Sequence, residues 1–321
     1  MAIPTNVTET FDRVGIKQDI ADVIYNISPV ETPFISNAGK SNAIQTLHEW
    51  QTDALEPASA NAQVEGFTYG LDTRAPTVKL QNYTQITAKA VGVTGTDQAV
   101  SNHGRGQELA YQMAKVGKEL KRDIEHANIN TENAKAVGSS GTARESGSIG
   151  TYYGGNIPGT STAVLNYYKN GGTVPTGNGS TAEAGGTDVA FTEDLLKDGL
   201  KKCYETGGEP SVVLMNAGHK QTASSFNGIA TNTNTIDDKR VIGAVDVYVS
   251  DFSTVTFVPD RYQNANRVDI LDMSKWAIAY LRPFQTKALS DTSDATQQLM
   301  LCEWTLEARN PNASYGIFNL A

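Results

Sequence analysis

The sequence predicts an α+β protein with a compact C-terminal part and extended elements ahead of it. Three observations carry this reading. Short apolar runs of strand length gather after residue 191 behind helical patterns, without the regular alternation that a doubly wound sheet requires. One narrow stripe of helical period runs through residues 106–134. A period-two pattern with one weakly apolar face runs from Thr77 over about 14 residues.

The 321 residues set a prior of about two domains and can bury a real core. Only 39% are hydrophobic and 29 are glycine, so loop-rich parts are expected beside that core. The net charge of −9, with basic residues scattered, argues against a protein that grips nucleic acid through clustered cations. The densest basic group, Lys115, Lys118, Lys121 and Arg122, is interleaved with Glu119, Asp123 and Glu125, which predicts a solvated, salt-bridged helix face. Val212–Met215 and Ala277–Leu281, the longest apolar runs, are too short to cross a bilayer, and no membrane contact is expected. Met1 is followed by polar residues with no export signal, so synthesis in a reducing cytoplasm is expected. Cys203 and Cys302 then read as two buried, reduced thiols.

Residues 1–45 form a polar arm. Ile20, Val23 and Ile24 share one helical face before Ser28-Pro29, and Pro29 to Phe34 is expected to be extended. An arm with so few apolar residues cannot fold alone and should lie across something else, such as a neighbouring subunit.

Residues 46–100 read as a long β ribbon. Val78, Leu80, Asn82, Thr84, Ile86, Ala88 and Ala90 are expected on one face, with Thr46–Trp50 as partner strand. Alternation of this length spans roughly 45 Å and, with one weakly apolar face, normally needs a surface to rest on. An internal sheet hairpin is the alternative. In 106–134, Leu109, Met113, Val116, Leu120, Ile124 and Ala127 recur at helical spacing and predict a rod of about 42 Å.

Thirteen of the glycines fall within residues 136–190, where no packing period is visible, so this stretch reads as a surface insertion. Beyond it, Phe191–Tyr204 is a helix with Thr192 as N-cap and Leu195, Leu196, Leu200 and Cys203 inward. A strand at Ser211–Asn216, a helix at Ala217–Phe226 and five further strands complete the pattern. Those strands are Val245–Ser250, Thr254–Val258, Val268–Asp272, Ala277–Arg282 and Gln298–Arg309.

No constellation for chemistry emerges. Ala38-Gly39-Lys40-Ser41 resembles the end of a phosphate-binding loop, but Phe34 stands where the first glycine is needed. Gly104-Arg105-Gly106 lacks a third glycine, and no nucleophile elbow occurs. His48, His103, His126 and His219 have no metal-ligand spacing. His219 alone sits just past a strand end, the placement of many active-site residues, and it reads first as a hydrogen-bonded structural histidine. Asp237-Asp238 and the Asp291/Asp294 pair lie in polar loops and read as solvated acids. No catalytic, cofactor-binding or metal residue is assigned, and no cofactor is expected.

These parts share one property: several cannot cover their own apolar and backbone groups within one subunit, which predicts an obligate oligomer. At this point a family resemblance can be read from residues in order along the chain. They begin with Asp22-Val23-Ile24-Tyr25-Asn26-Ile27-Ser28-Pro29, Glu31-Thr32-Pro33-Phe34 and His48-Glu49-Trp50-Gln51-Thr52-Asp53. Gly95-Thr96, Glu119-Leu120-Lys121-Arg122-Asp123-Ile124-Glu125 and Val249-Ser250-Asp251-Phe252 follow, then Leu281-Arg282-Pro283 and Glu303-Trp304-Thr305-Leu306-Glu307. In these the chain resembles the major head proteins of tailed bacteriophages with the Hong Kong 97 capsid fold.

The resemblance implies an N-terminal arm (1–45), an extended loop (46–100), a peripheral domain with a spine helix (101–135) and the insertion (136–190). It further implies an axial domain (191–270) and strands returning to the peripheral domain (271–321). It implies a non-enzymatic subunit that assembles with itself into pentamers and hexamers of an icosahedral virion capsid. That shell encloses double-stranded DNA without sequence-specific binding and is made in the bacterial cytoplasm. Portal, scaffolding and decoration proteins are partners the resemblance allows. The chain starts at Met1 with a short arm, so separate or dispensable scaffolding is expected. Some members weld subunits through Lys–Asn bonds; Lys79 and Lys89 lie on the ribbon with no visible activating acid, so no crosslink is expected. Two other readings stay open: another virion or surface-lattice subunit (tail tube, fibre, surface layer), and a hydrolase that gathers His219 with acids.

Overall fold

Sheets, rather than helices, organise the chain. A computed structural model describes residues 31–321 apart from 54, 57, 72, 75, 102–105, 155–164, 227–245 and 291–292. The amphipathic segment around Ile20, His103, Asp237-Asp238 and Asp291 therefore lie outside the described residues.

The chain opens with helix α1 (Pro33–Asn37), strand β1 (Gly39–Asn42), strands β2 (Leu47–Thr52), β3 (Val78–Tyr83) and β4 (Gln85–Thr94), and the short helix α2 (Gly95–Ala99). The long helix α3 (Glu108–Ile129) follows, then β5 (Tyr167–Tyr168), α4 (Glu193–Glu205), β6 (Val212–Met215) and α5 (Ala217–Ser224). The last strands are β7 (Val247–Val249), β8 (Thr254–Pro259), β9 (Val268–Leu271), β10 (Trp276–Ala288), β11 (Ala295–Ala308) and β12 (Tyr315–Ile317). Three sheets result: a four-stranded one ordered β1-β10-β11-β4, a six-stranded one ordered β5-β12-β9-β6-β8-β7, and the two-stranded β2-β3 ribbon. This is the α+β class that the sequence predicted.

Several details differ from expectation, each for a physical reason. Pro33 opens a helix instead of continuing an extended run, because the first helical position needs no N–H and favours proline's φ. Residues 31–42 fold back on their own body: Phe34 is fully buried, and β1 pairs in parallel with Ala277–Tyr280. The predicted single long strand breaks at Thr84. Before the break β3 pairs with β2, and after it β4 pairs with β11. The facing reverses at the same point. Leu80, Asn82 and Thr84 are buried, whereas Ile86 is 51% exposed, Ala88 and Ala90 are exposed, and Val93 is buried. The helix α3 has 22 residues, about 33 Å, because it ends at Ile129 ahead of the loop that holds Glu132.

The predicted stripe on α3 is correct at Met113, Val116, Leu120 and Ile124, all buried, with Leu109 and Ala127 half-buried. In α4, Thr192 caps the helix by accepting from the Leu195 N–H at 3.4 Å, and Leu196, Leu200 and Cys203 are buried. Leu195 itself is half-buried. Gly199 lets α4 approach the six-stranded sheet closely, since a Cβ there would lie 2.5 Å from Ile270 Cδ1. Strand β10 runs on through Pro283, and the register slips between Arg282 and Gln285, a bulge that accommodates the missing N–H. The 271–321 stretch divides: β10 and β11 join β4, while β12 pairs with β9.

The largest surprise is in 136–190. The run Ser146–Tyr153 is buried, not a surface loop, and its 3-10 turn (Ile149–Tyr152) enters the core. Tyr153 meets Trp276 and Phe318 edge-on at centroid distances of 6.4 and 5.8 Å. One apolar cluster surrounds these rings and Trp304; a second, around Leu196, Phe257 and Ile270, lies between α4 and the six-stranded sheet. Replacing Tyr153 by Ala leaves an aromatic-sized hole in the first cluster. It should cost about 3–5 kcal/mol, read as a lower urea midpoint of the dispersed subunit at unchanged slope.

Candidate functional site

The candidate site is not a pocket but a pair of features: an uncovered ribbon tip and the buried polar joints that hold its base. Strands β2 and β3 carry between them residues 53–77, and every described residue of that stretch is exposed. Leu55 is 94%, Tyr69 82% and Leu71 100% exposed. Its described residues form no helix or strand: a turn at Gly66 (φ 76°) lets the Phe67 N–H reach the Val64 carbonyl at 3.1 Å, and Arg74 pairs with Glu56 at 3.1 Å. Apolar side chains this bare on a projecting two-stranded ribbon mark a contact surface.

The base of the ribbon is fastened to β11. Glu303, 3% exposed, accepts hydrogen bonds from Thr84 Oγ1 (2.8 Å), Arg144 (2.6 Å) and Arg282 (2.8 Å). Glu307 accepts from Ser41 and from Arg309 at 3.0 Å, and lies 3.4 Å from His48 Nε2. The contact with His48, and then those with Ser41 and Arg309, pull its pKa down to about 2 against the opposing effect of burial. Asn82, fully buried, donates to the Leu306 carbonyl at 2.8 Å and accepts from the Gly147 N–H at 2.8 Å. Trp50 donates to the Ala308 carbonyl at 2.7 Å. The insertion therefore underpins the ribbon.

Two further joints fasten the long helix and the loop after it, one to α1 and one to β9. Glu125, expected on a solvated face, is instead fully buried and accepts the N–H groups of Phe34 (2.7 Å) and Ile35 (2.9 Å) at the first turn of α1. Burial raises its pKa to about 8, and the neighbouring Asp260 carboxyl adds to the rise against the lowering by those N–H groups. Asp260 is likewise raised by burial. Arg267, 1% exposed, binds Glu132 and, at 3.0 Å, Asp269; burial raises Glu132 to about 7 although Arg267 pulls it down. Lys169, its side chain fully buried, pairs with Glu183 and donates to the Gly185 carbonyl (2.7 Å) and to Asn319 Oδ1 (3.0 Å). The Lys169 and Arg267 cations stand 6.0 and 5.9 Å from the Phe318 ring centroid.

The residues that the sequence singled out scatter. His219 is buried, its Nε2 2.7 Å from the Ala265 carbonyl and its ring edge-on to Phe191, a structural setting. His126 is exposed, and His48 serves Glu307. Gly39-Lys40-Ser41 lies in β1, so no phosphate loop forms there. Lys79 pairs with Glu49 at 2.9 Å, and Lys89 with Glu119 (3.4 Å) and Asp123 (2.8 Å) across to α3. Both cysteines are free and buried, with burial pushing each thiol up to about 12. Among the described residues no three His, Cys, Asp or Glu gather to hold a metal ion, and no helix is long and apolar enough to cross a membrane. Sequence reasoning missed Glu125, Glu303, Glu307 and Arg267. For the two β11 acids a signal existed: Glu303 and Glu307 bracket Trp304 and Leu306 in a strand otherwise fit for burial.

Comparison with known proteins gives the same picture. The capsid asymmetric unit of Cyanophage A-1(L) aligns over 99% of both chains with TM-score 0.64 at 14% identity. The capsid of a native GTA particle aligns over 95% of this chain and 96% of its own with TM-score 0.62 at 12% identity, and a Gordonia phage Cozz chain over 99% and 97% with TM-score 0.59 at 12% identity. These likenesses define the class, a protein of the Hong Kong 97-type capsid fold. A major capsid protein of Escherichia phage Phieco32 is 30% identical over 357 residues, covering 100% of this chain and 99% of that protein. The model of the SU10 major capsid protein family matches residues 3–321, and the chain belongs to that family, as a structural shell protein of a tailed phage.

The Glu125 joint has a pH signature. A carboxyl whose pKa rises from 4.5 to about 8 on folding stabilises fully below 4.5 and loses that contribution as the pH climbs through 8. The melting temperature of the dispersed subunit should therefore fall from pH 5 to 8.5 more steeply in the unsubstituted protein than in Glu125→Gln.

Proposed function

We propose that the chain works mechanically, as a subunit that tiles pentamers and hexamers of an icosahedral virion shell around double-stranded DNA, and that it catalyses no reaction. The observation that carries this is the bare apolar tip at 53–77 standing on a base fixed by Glu303 and Glu307. A rigid base with an uncovered tip positions hydrophobic area for a neighbour, and covering it contributes about 25 cal/mol per Å² at each of many repeated contacts. In this reading the tip belongs to the extended loop, α3 is the spine of the peripheral domain, and the six-stranded sheet is the core of the axial domain. The capsid of the native GTA particle, computed with C5 symmetry, supports fivefold capsomers as one unit of the shell.

The net charge of −9 suits a container that must release its cargo, since strong phosphate binding would hinder packing and ejection. Portal, scaffolding and decoration proteins complete the reading as partners of the shell, with synthesis in the host cytoplasm. Electron images of purified assemblies test it. Closed shells with fivefold and sixfold capsomers are the expected outcome, and tubes, fibres or flat lattices would contradict it. Binding of free duplex DNA to empty shells should be undetectable at physiological salt; salt-sensitive tight binding would oppose the container reading.

A further inference from the structure

The side chain of Lys169 is fully buried, a rare setting for a lysine, at the edge of the six-stranded sheet. Strand β5 lies beside β12 with Tyr168 opposite Ile317, and the Phe318 N–H donates to the Tyr168 carbonyl at 2.9 Å. This pairing brings Lys169 and Asn319 together although they stand 150 residues apart.

Three acceptors converge on Lys169 Nζ: a Glu183 carboxylate oxygen, the Gly185 carbonyl at 2.7 Å and Asn319 Oδ1 at 3.0 Å. The Asn319 amide is oriented from its other side, since Nδ2 donates to the same Gly185 carbonyl at 3.1 Å. Two features of the backbone serve this amide. Asn319 (φ 56°) is the one non-glycine residue of positive φ among the described residues, so a side chain is kept where glycine would be free of strain. Gly186 clears the approach, because a Cβ there would lie 2.6 Å from Asn319 Oδ1. An ion pair alone requires Lys169 and Glu183. It does not require an amide held in a left-handed backbone conformation against the ammonium.

We propose that Lys169 and Asn319 become joined by an isopeptide bond within each chain, with Glu183 as the proton carrier. Glu183 takes a proton from the ammonium, and the freed Nζ lone pair attacks Asn319 Cγ. Cγ is one C=O bond beyond Oδ1, so Nζ starts no more than about 4.2 Å from it. A turn of the amide brings the two to the separation of a near-attack pair, about 3–3.5 Å. As the Nζ–Cγ bond forms, the C=O electron pair moves onto oxygen. Glu183 relays the second amine proton to Nδ2, the carbonyl re-forms, the Cγ–Nδ2 bond breaks and ammonia leaves. Glu183 ends with one proton, and nothing is oxidised or reduced. Its side chain is 17% exposed, which gives ammonia a way out. The Phe318 ring, 6.0 Å from Nζ, shields the amide from water that would compete with the amine. The event occurs once in each chain, without turnover, and joins no two copies. Its product ties the last strand covalently to the edge of the sheet, whatever the subunits go on to build.

The test is the intact mass of the full-length chain, denatured after purification. Apart from any removal of Met1, it should fall short of the sequence mass by one ammonia, about 17 Da. Trypsin does not cut after an acylated lysine, so residues 145–197 and 310–321 should emerge as one branched peptide. The full sequence mass with two separate peptides would overturn the proposal. So would the loss of ammonia with the peptides still separate, the mark of an asparagine cyclised on its own backbone. The unsubstituted chain thus decides whether the bond exists, even where a variant fails to fold. Lys169→Arg and Glu183→Gln, which keep hydrogen-bonding groups in place, should retain their full mass and yield no branched peptide. A branched peptide formed as completely in Glu183→Gln would overturn the role given to Glu183.

Discussion

Glu303 and Glu307 of β11 are the interaction on which the architecture depends. A carboxylate taken out of water must be met by cations or several donors, and breaking such an arrangement leaves a stranded charge at several kcal/mol. Here the donors come from four separate parts of the chain: Ser41 of β1, Thr84 at the ribbon's hinge, Arg144 of the insertion and Arg282 of β10. Each acid thus converts loosely related segments into one rigid base. Only because that base is fixed can the tip at 53–77 stand away from the body with its apolar side chains uncovered.

The same logic recurs at the far end of α3. Glu125 grips the first turn of α1, and Arg267 with Glu132 and Asp269 joins the loop after the helix to β9. Polar joints of this kind specify one arrangement of sheets and helix, whereas apolar packing alone would tolerate sliding. The described body is thus held by its own joints, and the bare apolar tip is placed by it. That division of labour suits a shell subunit, whose copies must be identical before they meet.

Much of this was legible in the sequence, and the failures are instructive. The stripe on α3 and the Thr192 cap could be read because they are local: spacing and side-chain reach decide them. The break at Thr84 could not, because period two reports alternation but not which sheet each half joins; the partner strand β11 lies more than 200 residues on. The burial of Glu125 was hidden for a similar reason, since its donors lie 91 and 90 residues away in the chain. Composition misled at 146–153, where small residues surround Ile149, Tyr152 and Tyr153 and mask a segment that enters the core. The expectation of no catalytic constellation rests on missing spacings alone, whereas the long-range polar joints gave no spacing signal to read.

The direct test is the accessibility of the ribbon tip before and after assembly. With Leu71→Cys as the reporter and both native thiols buried, thiol labelling should be fast in dispersed subunits and slowed at least about tenfold in intact particles, as burial by a neighbour worth 1.4 kcal/mol or more requires. Equal labelling rates in the two states would mean that the tip stays bare in the shell, and that its uncovered side chains do not hold the subunits together.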